Sequence, residues 1–335
     1  MKKLILKILS ILYGTGVKIR LSLYSSKILK TKTLPCMVIS IGNITAGGTG
    51  KTPMTMHIAK RLVVEGSKVV ILSRGYKGEY KDIGIVSNGA EVLMSAREAG
   101  DEPYLMAEKL KAPGNSGVPV VVCADRYKAG LMVIEKFSPD IILLDDGFQH
   151  LGVNRDMNLM LIDAKTDLKK EKLLPAGTLR EPIEGLKRAR VIMIKDKAPR
   201  VVDPYIKAID KPVVGFKYEA LKLRALSGGR ELELSELKNK KIFIFSALAS
   251  PGSFERTVEG LGAKIIGKRC FTDHHNFTKG DVEEILSLSK DAEIIVTTEK
   301  DAVKLAGFTS ELNTVYVLEV EVVIENKENF FRKIR

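Results

Sequence analysis

The stretch "SIGNITAGGTGKTP", Ser40 to Pro53, follows the apolar run "CMVIS" and leads into "MTMHIAKRLVVEG", a segment with helical spacing and a glycine stop. Strand, glycine-rich turn and helix is the setting in which backbone N–H groups close around phosphate oxygens at a helix N-terminus. The pattern G-x-x-x-x-G-K-[ST] asks for glycine where Thr45 stands. Anion contacts come mostly from the later N–H groups, so the mechanism survives the mismatch. Thr45, Ala46, Gly47, Gly48, Thr49, Gly50, Lys51 and Thr52 are therefore read as a nucleotide cradle. Lys51 would neutralise the β/γ-phosphates and the Thr52 hydroxyl would sit on Mg²⁺.

Working outward, the runs "KVVILS", "VPVVVCADR", "DIILLDDG", "MNLMLIDA" and "ARVIMIKD" alternate with helical candidates such as "GDEPYLMAEKL" and "RYKAGLMVIEKF". Near-continuous apolar strands separated by helices predict an α/β fold: a P-loop NTPase-like, mostly parallel sheet covered on both faces. This domain spans residues 31–210. "KIFIFSALA", "AKIIGKRCF" and "AEIIVTTEKDAVKL" restart the theme and predict a second, smaller α/β domain over residues 211–335. Between them "YEALKLRALSGGRELELSEL" reads as a linker with a hairpin.

A length of 335 residues suits two domains. With 45% apolar residues and a mean hydropathy of +0.02 the composition is that of an ordered globular chain. Three scattered cysteines without C-x-x-C spacing point to a reducing compartment, with neither a disulfide framework nor a structural zinc. A net charge of +13 favours a polyanionic partner: nucleic acid, an anionic membrane surface or a phosphorylated substrate. No basic segment interleaved with aromatics resembles a single-strand stacking platform, which argues against nucleic acid.

Residues 1–30 combine Leu4, Ile5, Ile8, Leu9, Ile11 and Leu12 with seven lysines and arginines. Lys7 interrupts the apolar run well short of the ~20 residues a spanning helix needs. A basic amphipathic helix lying on the membrane surface fits better than a secretory signal, the alternative being a helix packed on the rest of the chain.

Several motifs carry chemistry. "IILLDDGFQH" places Asp145 and Asp146 at the carboxyl end of an apolar strand, where open parallel sheets hold ligands and one carboxylate can bind Mg²⁺. Gln149 and His150 follow into the same crevice. "AGDEPYLMA" sets Asp101 and Glu102 at a helix start, either as an acidic first turn complementing the dipole or, for Asp101, as a carboxylate accepting a hydroxyl proton. In "FTDHHNF" an imidazole could orient that carboxylate, making Asp101 and His274 a candidate pair. Adjacent histidines on an extended segment point opposite ways, and no third spaced ligand supports a zinc site. His57 reads as structural. Arg74, Tyr76, Arg126, Arg180 and Glu181 fall in loops near strand ends, where surface ion pairs are the plain alternative.

Ala46 stands where DNA-partitioning ATPases carry a signature lysine, which counts against their dimerisation chemistry. Taken together, "GNITAGGTGKTP", "LSRGYKG", "GDEPYLMA", "LLDDGFQH", "LLPAGTLREP", "FTDHHNF" and "TTEKDAVK" resemble the tetraacyldisaccharide 4'-kinases, in that family's order and over residues 38–305. The resemblance implies transfer of the ATP γ-phosphoryl group, with Mg²⁺, to the 4'-hydroxyl of tetraacyldisaccharide 1-phosphate, forming lipid IVA in lipid A biosynthesis. It implies a peripheral protein on anionic lipids at the cytoplasmic face of the bacterial inner membrane, with no obligate protein partner and an active site between two domains. By the same resemblance Asp101 is the general base and one histidine of the pair His274 and His275 its partner, His274 being favoured. Lys51 and Asp146 are also catalytic, Thr52, Asp145 and Glu102 surround the metal, and Tyr76, Arg126, Gln149, His150 and Glu181 meet the substrate. Two other classes compete: a partner-switched P-loop ATPase or GTPase, and a soluble kinase for a nucleotide or small sugar. The second is disfavoured by the apolar N-terminus.

Overall fold

A computed structural model of the chain describes residues 2–114, 116–196 and 204–334. Helix α1 (Lys2–Ser25) precedes β1 (Met37–Asn43), α2 (Lys51–Val64), β2 (Val69–Ser73), β3 (Gly84–Ser87), α3 (Ala96–Ala99), α4 (Asp101–Leu110), β4 (Val120–Val122), α5 (Arg126–Phe137), β5 (Ile141–Asp145), β6 (Met157–Asp163) and β7 (Val191–Lys195). Then come α6 (Pro204–Ala208), β8 (Val213–Ala225), β9 (Glu231–Leu232), β10 (Lys241–Ser246), α7 (Pro251–Gly260), β11 (Lys264–Cys270), α8 (Lys279–Leu288), β12 (Ile294–Thr298), α9 (Glu299–Lys304), β13 (Val315–Ile324) and α10 (Lys327–Lys333).

The strands form one sheet in the order β11-β10-β12-β13-β8-β7-β6-β1-β5-β2-β4-β3, with β9 paired to β8. Pairing is parallel except at β3–β4, β8–β9 and β8–β13. The inner strands are buried on both sides. Ile39, Ile71 and Leu143 pack under α2 with its Met54, Ile58 and Leu62. Their chain neighbours Val38, Val70 and Ile142 pack on the opposite face with Ala129 and Val133 of α5. This double burial is why these strands are apolar runs rather than alternating ones.

The segment read as a linker is a structural strand. β8 pairs with β7 through Ile192↔Val213 to Lys195↔Phe216, then antiparallel with β13 from Phe216↔Ile324 to Ala225↔Tyr316. One sheet thus runs through both halves. Its charges disguised it: Lys217 pairs with Glu219, Lys222 with Glu231, and Arg224 with Glu319 at 3.0 Å, so polar side chains line a strand whose Leu223 is fully buried. The hairpin was read correctly, and its turn uses Gly228 and Gly229 at φ 84° and 80°, a left-handed pair that side-chain-bearing residues rarely adopt.

α1 lies against the first half through a polar edge. Ser10 donates to the Leu173 carbonyl (2.8 Å), Tyr13 to the Arg180 carbonyl (2.7 Å) and Arg20 to the Gln149 carbonyl (3.0 Å). Leu4, Ile5, Ile8, Leu9, Ile11 and Leu12 remain exposed. Among the described residues no helix is long and apolar enough to cross a membrane.

Candidate active site

β1 lies between β6 and β5, and the loop leaving its carboxyl end runs into α2. Gly50, the residue before α2, is left-handed (φ 81°, ψ 33°), provides no side-chain cap, and is followed by a first turn without acidic residues. The N–H groups of Lys51 and Thr52 in that turn have no intrahelical acceptor and suit an anion. Gly50 is also required by contact. The Tyr218 hydroxyl donates to its carbonyl at 2.6 Å, and a Cβ would fall within 2.0 Å of that hydroxyl oxygen.

Two members of the expected cradle are committed elsewhere. The Ala46 N–H donates to the Thr178 carbonyl at 2.6 Å, and Thr45 is buried in a bridge to Leu179. They brace the loop against residues 172–180, and Ala46 together with Gly47 to Thr52 lines the cavity.

That cavity, about 1180 Å³, reaches from α1 past the loop to α7 and α9 of the second half. Lys51, Thr52, Tyr76, Glu102, Arg126, Asp145, Asp146, Gln149, His150, Glu181 and His274 all reach its wall. Asp101 stands one contact behind, with 14% of its side chain exposed. Its carboxylate is 3.2 Å from Nδ1 of His274, while Lys300 is 3.2 Å from Nε2 of the same ring. An ammonium only donates, so Nε2 accepts and the Nδ1–H donates to Asp101. Lys300 also reaches Asp273 (3.1 Å) and Glu102 (3.4 Å), and Lys304 lies 4.0 Å from Asp101. Burial pulls the Lys300 ammonium down, but Glu102 and Asp273 outweigh it and its pKa is raised.

The two histidines sit in a turn rather than on an extended segment, and they do diverge. His274 adopts φ 60° and faces Asp101. His275 stacks on Phe271 (4.7 Å) and bonds Asp281 (3.0 Å). His275 thus anchors the turn that presents His274. We expect His275→Ala to lower kcat about tenfold at unchanged ATP affinity, since misplacement rather than lost binding is the defect. Steady-state kinetics beside ATP titration checks this, and an unaltered kcat would refute the anchoring role.

Opposite the dyad, Thr52 donates to Glu102 (3.3 Å), Thr55 donates to Asp145 (2.9 Å), and Arg180 grips both oxygens of Asp146 (2.9 and 2.8 Å) with Lys51 at 3.7 Å. Burial, then Glu102 and Asp146, push the Asp145 carboxyl up to about 7. A cation relieves that crowding. Among the described residues no three His, Cys, Asp or Glu side chains group closely enough to cage a metal. Mg²⁺ in a phosphate site needs only one or two carboxylates, the remainder being phosphate and water oxygens, so Thr52, Asp145 and Glu102 fit it.

Farther along, Gln149 donates to the Asn43 carbonyl and to Glu181 (both 2.9 Å), and Arg188 pairs with Glu181 at 2.6 Å. Burial, then Arg126, Arg155 and Arg20, lower His150 to about 4, leaving it neutral at pH 7. Arg126 is 3% exposed, among the described residues bonds the carbonyls of Cys123 and Ala124, and is lowered to about 10 by burial and then Arg74. Tyr76 meets His274 edge-on at 5.6 Å. His57 is half-buried against Phe331 on α10, outside the site.

Reading the sequence missed Tyr218, Lys195, Arg188 and the role of Lys300. Lys300 sits in the quoted "TTEKDAVK", and Lys195 ends an apolar strand, which is the one signal that could have marked it.

A family model described as tetraacyldisaccharide-1-P 4'-kinase matches residues 2–335. Proteins named tetraacyldisaccharide 4'-kinase from Syntrophus aciditrophicus and Aquifex aeolicus are 36% and 38% identical, over 98% and 97% of this chain and 91% and 96% of theirs. A crystal structure of the "apo" form of LpxK from Aquifex aeolicus in complex with ATP superposes with a TM-score of 0.80 at 36% identity, covering 100% of this chain and 98% of that one.

Proposed function

The chain belongs to the tetraacyldisaccharide-1-P 4'-kinase family, and from that premise we propose that Asp101, oriented by His274, accepts the proton of the lipid's 4'-hydroxyl. The protein is an ATP-dependent kinase of lipid A biosynthesis, transferring the γ-phosphoryl group to that hydroxyl. The 4'-oxygen bonds to the γ-phosphorus, the bond from phosphorus to the bridging β,γ-oxygen breaks, ADP departs, and the proton goes to the Asp101 carboxylate. Lys51 and the N–H groups from Gly47 to Thr52 hold the phosphates. Thr52, Asp145 and Glu102 would hold Mg²⁺, which supplies charge neutralisation when bound. Asp146 and Arg180 fix Lys51 on the loop side, while Tyr76, Arg126, Gln149, His150 and Glu181 shape the disaccharide pocket.

The observation that carries this reading is the Asp101–His274–Lys300 chain, because it joins α4 of the first half to the second half at the cavity wall. It supports treating residues 31–210 and 211–335 as two units meeting at the site. The test is the Asp101 and His274 double-mutant cycle argued below.

We also place the protein peripherally at the cytoplasmic face of the inner membrane, on anionic lipid, with no further protein required. The exposed row from Leu4 to Leu12 supports this, as does the polar edge of the same helix at the cavity. Substrate then need not leave the bilayer fully. Each buried Leu or Ile contributes about 1.5–3 kcal/mol, so Ile8→Asp with Leu12→Asp should cut partition onto phosphatidylglycerol vesicles more than tenfold. Undiminished co-sedimentation of the double variant would exclude α1 as the docking element.

A further inference from the structure

Lys304, the last residue of α9, holds its ammonium between two carboxylates. Its side chain is 5% exposed and lies 3.3 Å from Oδ1 of the fully buried Asp301, one turn back on the same helix. Asp301 is fixed in its turn, because its Oδ2 accepts from the Thr298 hydroxyl (2.7 Å) and from the Ala247 N–H (3.1 Å). The Phe277 ring stands 5.4 Å from the ammonium. All of these supports belong to the second half. Among the described residues neither Nζ of Lys304 nor Oδ1 of Asp301 makes a hydrogen bond, so charge alone joins them. Enclosing such a pair commonly gains nothing over apolar side chains of the same volume, and stability is a poor reason for it.

The second carboxylate supplies a better one. Lys304 lies 4.0 Å from Oδ2 of Asp101, the same oxygen that faces Nδ1 of His274 at 3.2 Å. Two groups of the second half thus converge on one oxygen of a residue from the first. The other oxygen, Oδ1, is left to the substrate hydroxyl. At the far end of α4 Lys109 pairs with Glu299, the first residue of α9, at 2.7 Å. The two helices are therefore tied at both ends, and Asp101 cannot slide away from Lys304 without loosening that pair.

We infer that Lys304, backed by Asp301, is a positioning residue that clamps Oδ2 of Asp101 together with His274 and so presents Oδ1 as the oxygen that takes the hydroxyl proton. The 4'-hydroxyl proton passes to Oδ1 as the 4'-oxygen bonds to phosphorus, while Oδ2 keeps its two partners. The inference rests on the kinase reading, since it presupposes that Asp101 is the base.

The test measures kcat, the KM for tetraacyldisaccharide 1-phosphate, ATP affinity and the melting temperature for wild type, Lys304→Met, Asp101→Asn and the variant carrying both. A carboxylate misplaced by about 1 Å costs up to a hundredfold, so Lys304→Met should lower kcat about ten- to a hundredfold with lipid KM and ATP affinity within about twofold. In the Asp101→Asn background the same substitution should change kcat less than about twofold, because Lys304 acts through that carboxylate. An equal fractional loss in both backgrounds, a raised lipid KM in place of the lowered kcat, or an unimpaired Lys304→Met overturns the inference. Lys304→Met leaves the Asp301 carboxylate buried without its cation. Should it fail to fold, Lys304→Met combined with Asp301→Asn, which removes the pair, is measured in both backgrounds and read by the same criteria. Wild type that leaves the lipid unlabelled would strike the kinase reading, and this inference with it.

Discussion

Asp101→Asn is expected to lower kcat by about a thousandfold, within the range a positioned general base contributes, while ATP affinity changes little. The amide retains the shape and an acceptor oxygen for the His274 Nδ1–H, so the fold should hold, but it does not take up the hydroxyl proton. His274→Ala should cost about a hundredfold, because Asp101 then loses its 3.2 Å partner and its tie to Lys300. The double variant should be scarcely worse than Asp101→Asn, since residues acting as a unit are not additive. Fully multiplicative losses would mean that the two act separately, and an unimpaired Asp101→Asn would remove Asp101 from the chemistry.

Asp145→Asn should produce opposite effects on activity and stability. Activity should fall about a hundred- to a thousandfold, as when a charged group facing the transferring phosphoryl is lost. Stability should rise. Burial, together with Glu102 and Asp146, holds the folded-state pKa at about 7, against roughly 3.9 in an unfolded chain. Between those values the folded protein binds the extra proton, so this carboxyl's contribution is most favourable below pH 4 and worsens as pH rises, levelling above 7. Asparagine removes the penalty and can keep the Thr55 hydrogen bond. Without nucleotide, Asp145→Asn should therefore be more stable than wild type at pH 8 by on the order of a few kcal/mol, seen as a higher melting temperature, and the difference should vanish near pH 4. A gain that grew toward acid pH would show the sign to be wrong.

Much of this site was readable because its chemistry is local in sequence. The glycines, Lys51 and Thr52 share one turn, and Asp145 to His150 leave one strand end, so spacing alone placed them at the carboxyl edge of a parallel sheet. The Asp101–His274 contact joins residues 173 apart. It was legible through motif resemblance, and the choice between His274 and His275 required the turn in which they diverge. What failed to show is instructive. β8 looked like a linker because its charges pair across and along the strand, masking a buried Leu223. Thr45 and Ala46 belong to the phosphate loop by position, and only the assembled structure shows that they also brace it against the segment around Thr178 and Leu179. Tyr218 and Lys195 meet the nucleotide loop and α7 only after the sheet is assembled, and no periodicity records a contact across 168 residues.

The most direct measurement follows γ-labelled phosphate from Mg²⁺·ATP into detergent-dispersed tetraacyldisaccharide 1-phosphate, using purified wild type, Asp101→Asn and a reaction without lipid. The expected result is label in the lipid with wild type, almost none with Asp101→Asn that still binds ATP, and negligible ATP turnover without lipid. Folded, ATP-binding wild type that hydrolyses ATP but leaves the lipid unlabelled would contradict the assignment.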